Sequence, residues 1–205
     1  MLSRNLAFIS LLISKATMLS RAAVYFGGGL TIASVFLITY DVSLRRLFSI
    51  TVGGADELSG YAFAISSSWA LAFTALERAN VRVDVLYQYL PVRISALVDW
   101  LALVALGVFS VFLTYYAYDV VMSSWVQSSA ANTPLATPLW LPQGLWLAGL
   151  VWFSVVLALM LLRASIALIT GDVEAVKQLC GVKSAKEEAA TEVAMGERNV
   201  RGVTV

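Results

Sequence analysis

Apolar residues in this chain run on in long unbroken blocks instead of alternating with polar ones. Ala22–Tyr40, Leu58–Leu76 and Trp100–Tyr118 contain no Asp, Glu, Lys or Arg, and a fourth such run extends from Val120 to Leu162. About 20 apolar residues at a rise of 1.5 Å each cross the hydrocarbon core of a bilayer. Blocks of this length exceed most soluble core helices. The pattern predicts an all-α integral membrane protein with four transmembrane helices, over about residues 22–44, 58–76, 97–121 and 143–162.

The segments between these runs predict the rest. In residues 1–21, Ser3, Ser10, Ser14, Thr17 and Arg21 fall within about 60° on a helical wheel, away from Leu2, Phe8, Ile9, Leu12, Ile13 and Leu19. That is an amphipathic helix suited to the cytoplasmic interface. A cleaved signal peptide is the other reading of Leu6–Ile13; Lys15, Arg21 and the lack of a small-x-small site weigh against it. Val83, Leu86, Tyr87 and Leu90 share a face, so Asp84–Leu90 reads as a short interfacial helix between spans 2 and 3, ended by Pro91. Residues 164–205 read as a partly disordered cytoplasmic tail around the 22–163 membrane domain. In it Thr170 or Asp172 caps a last amphipathic helix through Leu179, and balanced Ala/Glu/Lys sequence follows Lys183.

Lys and Arg placement sets the orientation. Arg4, Lys15 and Arg21 precede the first span; Arg78, Arg82 and Arg93 lie between the second and third; Arg163, Lys177, Lys183, Lys186, Arg198 and Arg201 follow the fourth. The loop Met122–Pro142 has none. Both termini and the middle loop are therefore expected in the cytoplasm. Arg45 and Arg46 break the rule, because alternation puts them outside. Either they snorkel to headgroups and pair with Asp41, Asp56 or Glu57, or they form a charged platform for another polypeptide, and both readings can hold. Arg45, Arg46, Asp56 and Glu57 are the partner-docking candidates. The uncharged outer loop carries Pro134, Pro138 and Pro142, which break helix, and Trp125, Trp140 and Trp146, which suit an interfacial belt. Its apolar character suits a segment that re-enters the membrane, lies on it or buries against a partner.

Composition removes most enzymatic chemistry. Hydrophobic residues make up 60% of the chain and charged ones 13%, with a formal net charge of +1, which gives no basic field for nucleic acid. Histidine is absent, and with it the commonest general base, haem ligand and zinc ligand. Cys180 stands alone, and neither GxxxxGK[ST] nor GxGxxG occurs. No cofactor is expected. Gly60, Ala64, Ser68 and Ala72 recur every four residues in the second span. Helices in lipid associate over such small-residue stripes. The stripe is a helix-packing candidate, toward the chain's own first or third span or toward another subunit. Span centres are nearly empty of ionisable groups: Asp41 and Asp119 lie near outer ends, Asp84 and Asp99 near the inner side. Gly27–Gly29 would loosen the first helix near its inner end. A chain with its own transport pathway would carry charges or broken helices at mid-bilayer. The pattern describes a helper in a larger assembly.

Three stretches in order carry a family resemblance. They are Arg45-Arg46-Leu47-Phe48 with Asp56-Glu57-Leu58-Ser59-Gly60-Tyr61; Val81-Arg82-Val83-Asp84 with Leu90-Pro91; and Thr133-Pro134 with Trp140-Leu141-Pro142. Over about Ala22–Leu162 the chain resembles the small, DctQ-type membrane subunit of tripartite ATP-independent periplasmic (TRAP) transporters. Asn80 stands where many relatives have histidine and Ala55 where a tryptophan often precedes the acidic pair. The resemblance implies a bacterial inner-membrane complex with two protein partners. A large permease subunit holds the substrate and sodium sites, and a periplasmic binding protein delivers an organic acid of C4-dicarboxylate or sugar-acid type. It also gives Arg78, Asn80, Arg82 and Asp84 as a cytoplasmic-loop motif, and membrane lipids as the remaining partners. Two other readings compete: a small proton-coupled exporter, which needs a carboxylate that Ala22–Tyr40 lacks, and a non-transporting tetraspan assembly protein.

Overall fold

The computed structural model describes residues 2–79 and 91–181, with Val193 and Gly196. Five helices are found among them: α1 (Leu2–Phe48), α2 (Ala55–Leu76), α3 (Val92–Val126), α4 (Trp140–Ile169) and α5 (Val173–Cys180). Three of these, α1, α3 and α4, are long and apolar enough to cross a membrane. Helix α2, at 22 residues, spans about 33 Å by rise, but Ser59, Ser66, Ser67 and Ser68 dilute its apolar character.

Residues 2–21 do not form a separate helix. Helix α1 continues through them into the first span without a break, because no proline or cap interrupts the sequence and Gly27–Gly29 sit inside regular helix. At 47 residues it is about 70 Å long, more than twice a bilayer core. The expected interfacial helix over Asp84–Leu90 lies outside the described residues. Helices α3 and α4 both overrun their apolar blocks, since Arg93 and Arg163 are good helix formers and do not end the hydrogen-bond ladder.

The C-terminal ends of α2, α3 and α4 follow one design. Arg78 after α2, Ser128 after α3 and Gly171 after α4 hold left-handed φ values of 57°, 48° and 74°. The next amide then reaches back to satisfy a carbonyl of the last turn: Ala79 to Thr74, Ser129 to Ser124 and Asp172 to Ala167, at 3.0, 3.0 and 2.9 Å. Pro91 precedes α3, where its missing N–H costs nothing, and its carbonyl accepts from Ile94 and Ser95. Pro142, expected to break helix, sits in the first turn of α4, where its N–H would have no partner either.

Helix α4 is the hub. It packs against α2, α3, α5 and the N-terminal part of α1, and α2 lies between α1 and α4. Its face Leu150, Phe153, Val156, Leu157, Met160 and Ala164 is buried, meeting Ala72 and Ala75 of α2, Leu103 of α3, and Val176 and Cys180 of α5 in one core. By contrast α1 and α3 turn long apolar faces outward, including Phe26 and Phe36, and Phe109 and Phe112. Hydroxyls and indoles tie the helices where lipid gives no hydrophobic drive. Trp152 donates to Ser20 (3.0 Å), Trp69 to the Leu145 carbonyl (3.1 Å) and Trp100 to Ser165 (2.9 Å), while Ser110 and Thr114 meet Ser154 at 2.7 and 3.0 Å.

Candidate functional site

At one end of the bundle two connections meet: residues 49–54 between α1 and α2, and residues 127–139 between α3 and α4. Each is short on regular structure and is shaped by side chains. Gly53 and Gly54 hold φ values of 67° and 94°, which let the chain turn into α2. A side chain at Gly54 would also collide with Leu135 of the other connection. That second connection folds on itself, with the Ala131 amide donating to Thr137 (2.9 Å) and the Leu139 amide to Ser129 (3.0 Å). Trp125 and Trp140 close its base edge to face, centroids 4.8 Å apart.

Two carboxylates hold this end together. Asp41, two turns before the end of α1, is buried. It accepts from Arg45 one turn on, from the Thr51 hydroxyl at 2.9 Å and from the Val52 amide at 2.7 Å. It thus folds the first connection back over the helix end. Glu57, in the first turn of α2, accepts from Thr133 of the other connection and from the Tyr61 hydroxyl at 2.8 Å. The Thr133 hydrogen bond holds the Glu57 carboxyl below the ordinary carboxylate range; burial opposes this, and the Thr137 and Tyr61 hydroxyls assist. Glu57 is therefore an ionised clasp between the two loops.

The four docking candidates divide in two. Arg45 and Glu57 are engaged within the chain. Arg46 and Asp56 are exposed, beside Leu47, Phe48, Ile50 and Val52, which are also exposed. Sequence reasoning saw that acids could satisfy the arginines, and the four-residue spacing of Asp41 and Arg45 carried that signal. It missed Tyr61, whose four-residue spacing from Glu57 was a usable signal, and Thr51, Thr133 and Thr137, since nothing in spacing links Thr133 to a carboxylate 76 residues away.

The small-residue stripe is also divided. Ser68 and Ala72 are buried, Ser68 against Gly149 of α4 and Ala72 in the shared core, whereas Gly60 meets open space. A Cβ on Gly149 of α4 would come 2.5 Å from the Ser68 hydroxyl and 3.0 Å from its carbonyl carbon, so α2 and α4 touch nearly backbone to backbone. Helix α1 approaches the next face of α2 at Gly27, whose Cβ would stand 3.1 Å from the Ser66 Cα. The Ser66 hydroxyl donates to the Gly27 carbonyl at 2.8 Å. Gly27 serves close approach, not looseness.

At the opposite end Arg21 pairs with Glu77 at 3.9 Å, and Arg78 donates to the Lys177 carbonyl at 3.2 Å. Asn80, Arg82 and Asp84 lie outside the described residues. Asp172 caps α5, accepting from the Ala175 amide at 3.1 Å. Among the described residues no three His, Cys, Asp or Glu side chains converge as metal ligands.

The sequence matches the family model described as "Tripartite ATP-independent periplasmic transporters, DctQ component" over residues 34–167. That span covers α2, α3 and both connections of the clasped end, with most of α4 and the last turns of α1. Searches of curated proteins and of solved structures gave no match.

Proposed function

The chain belongs to the DctQ components of tripartite ATP-independent periplasmic transporters, and from that membership we propose that it is the small supporting subunit of a sodium-coupled uptake system for an organic acid of C4-dicarboxylate or sugar-acid type. The family is one of transport components, not enzymes, and works with a large permease and a binding protein. In this reading α2 completes a four-span bundle in the bacterial inner membrane, with both termini cytoplasmic and the clasped end facing the periplasm. Sodium and solute bind in the permease. The outward apolar faces of α1 and α3 offer the permease and lipid their contact area.

The observation that carries the docking part is the Glu57–Thr133 clasp. It joins two connections distant in sequence into one surface, on which Arg46 and Asp56 stand exposed. Preorganising a loop surface reduces the ordering cost of binding. In this reading Arg46 and Asp56 meet the binding protein, while Asp41, Arg45 and Glu57 hold the surface that presents them. The test reconstitutes this chain with its permease and binding protein and measures uptake for Glu57→Gln paired with Thr133→Val. Uptake should fall severalfold with the complex still assembled. Unchanged uptake would remove the docking role.

A further inference from the structure

At the α5 end of the bundle a cavity of about 270 Å³ opens between three helices. It is lined by Ser10 and Ile13 of α1, Arg163 of α4, and Ala175, Gln178 and Leu179 of α5. Packing explains it. Val176 and Cys180 bury α5 against α3 and α4, which leaves Ala175, Gln178 and Leu179 on the neighbouring face. Helix α1 presses on α4 through Ala16 and Ser20, and two turns earlier it passes the cavity with Ser10. A wedge remains between the three.

Arg163 is the unusual group in this wedge. It is half-buried, on a helix long and apolar enough to span a bilayer, and the described residues give it no hydrogen-bond or ion-pair partner. Arg21 and Arg78, at the same end, are both held by the chain itself. Among the described residues no carboxylate lines the cavity. A guanidinium partly removed from water with no counter-charge is unfavourable unless an anion completes it. Arg163 lies 23 residues after Trp140, about 35 Å along α4. That rise carries the guanidinium from one interface to the headgroup level of the other. Ile13, Ala175 and Leu179 supply apolar walls, and the Gln178 amide supplies further donors.

We propose that this cavity binds the phosphodiester headgroup of an anionic phospholipid from the adjacent leaflet, with Arg163 as the phosphate ligand and an acyl chain against Ile13 and Leu179. Arg suits the role because its planar fork donates two parallel hydrogen bonds to phosphate oxygens. The proposal is independent of docking at the other end. A bound lipid would bridge α1, α4 and α5, and so fasten α5 to the long first helix.

The test uses the full purified chain in neutral detergent, with native mass spectrometry counting retained phosphatidylglycerol against phosphatidylcholine. Arg163→Gln should lower phosphatidylglycerol retention about fivefold, the effect expected of one basic side chain at an anionic surface. Phosphatidylcholine should not change, and Arg163→Lys should restore part of the loss. Arg93→Gln, which removes an exposed arginine from α3, should have little effect. Ile13→Trp fills the wedge without touching the charge and should also displace the lipid, so the test survives a poorly folding arginine variant. Equal retention in wild type and Arg163→Gln, or equal loss with Arg93→Gln, would overturn the site. Displacement of the lipid by millimolar inorganic phosphate would identify a free-anion site and overturn the lipid assignment.

Discussion

The two ends of this bundle are held by different forces. At the clasped end, Asp41 and Glu57 gather hydroxyls, an amide and a guanidinium from two connections. At the α5 end, Val176, Cys180, Ala164 and Met160 close an apolar core, beside which Arg21 pairs with Glu77 and Arg78 donates to the Lys177 carbonyl. Hydrogen bonds fix direction and register, whereas apolar burial is non-directional. The clasped end thus has its two connections fixed in direction as well as position. The α5 end is fastened mainly through its apolar core.

The contrast can be broken most severely between the ends, where α2 meets α4. Gly149→Leu drives a side chain into Ser68 and Trp69, with backbone on one side and an indole on the other. It should destabilise the chain by about 3 kcal/mol, the upper range of overpacking. The check is thermal unfolding in detergent. Gly60→Leu is the matched control: it lies on the same small-residue stripe as Ser68 but meets open space. It should change stability by less than about 0.5 kcal/mol. If Gly60→Leu nevertheless abolishes co-purification with the permease, the outer half of the stripe is a subunit contact.

The clasp itself should fail next. Glu57→Gln with Thr133→Val should raise hydrogen exchange in residues 127–139 severalfold and leave exchange in α4 unchanged, since only the tether is lost. Acid should imitate it. The Glu57 carboxyl titrates lower in the folded chain than in the unfolded one, so its contribution is complete above the ordinary glutamate value of 4.5 and is lost as pH falls through the depressed value. Protection in 127–139, measured against the intrinsic exchange rate at each pH, should therefore fall in acid in the wild type, and Glu57→Gln should flatten that fall. A wild-type protection profile no different from that of Glu57→Gln would contradict the clasp.

The smallest structural effect belongs to the exposed charges. Reversing both, Arg46→Glu with Asp56→Lys, should leave the melting temperature within a degree or two, as exposed substitutions do. The same variant should slow binding-protein association about threefold to tenfold at low salt, with the defect shrinking as salt rises. A large stability loss with normal association would show these charges to be structural too.

Much of this could be read in the sequence, within definite physical limits. Uncharged blocks located α1, α3 and α4, because spanning length and apolarity are both written in residue order. The same blocks misplaced the helix ends: Arg163 ends an apolar run without ending a helix, and only the cap geometry at Gly171 shows where α4 stops. Residues 1–21 carry an amphipathic face, but a face does not say whether the helix stops. The pairing of Asp41 with Arg45 was legible through helical spacing, whereas Glu57 with Thr133 depended on two loops meeting in space. The stripe of Gly60, Ala64, Ser68 and Ala72 announced close packing but not against which helix, since any facing glycine would serve. Gly149 answers for Ser68, and Gly60 is left uncovered.

The central claim, a supporting subunit with the solute pathway in its companion, is tested most directly by transport in reconstituted vesicles. Liposomes containing this chain with its permease, supplied with loaded binding protein and an inward sodium gradient, should accumulate the organic acid. Liposomes with this chain alone should accumulate none under the same gradient. Gradient-driven accumulation by this chain alone would contradict the account.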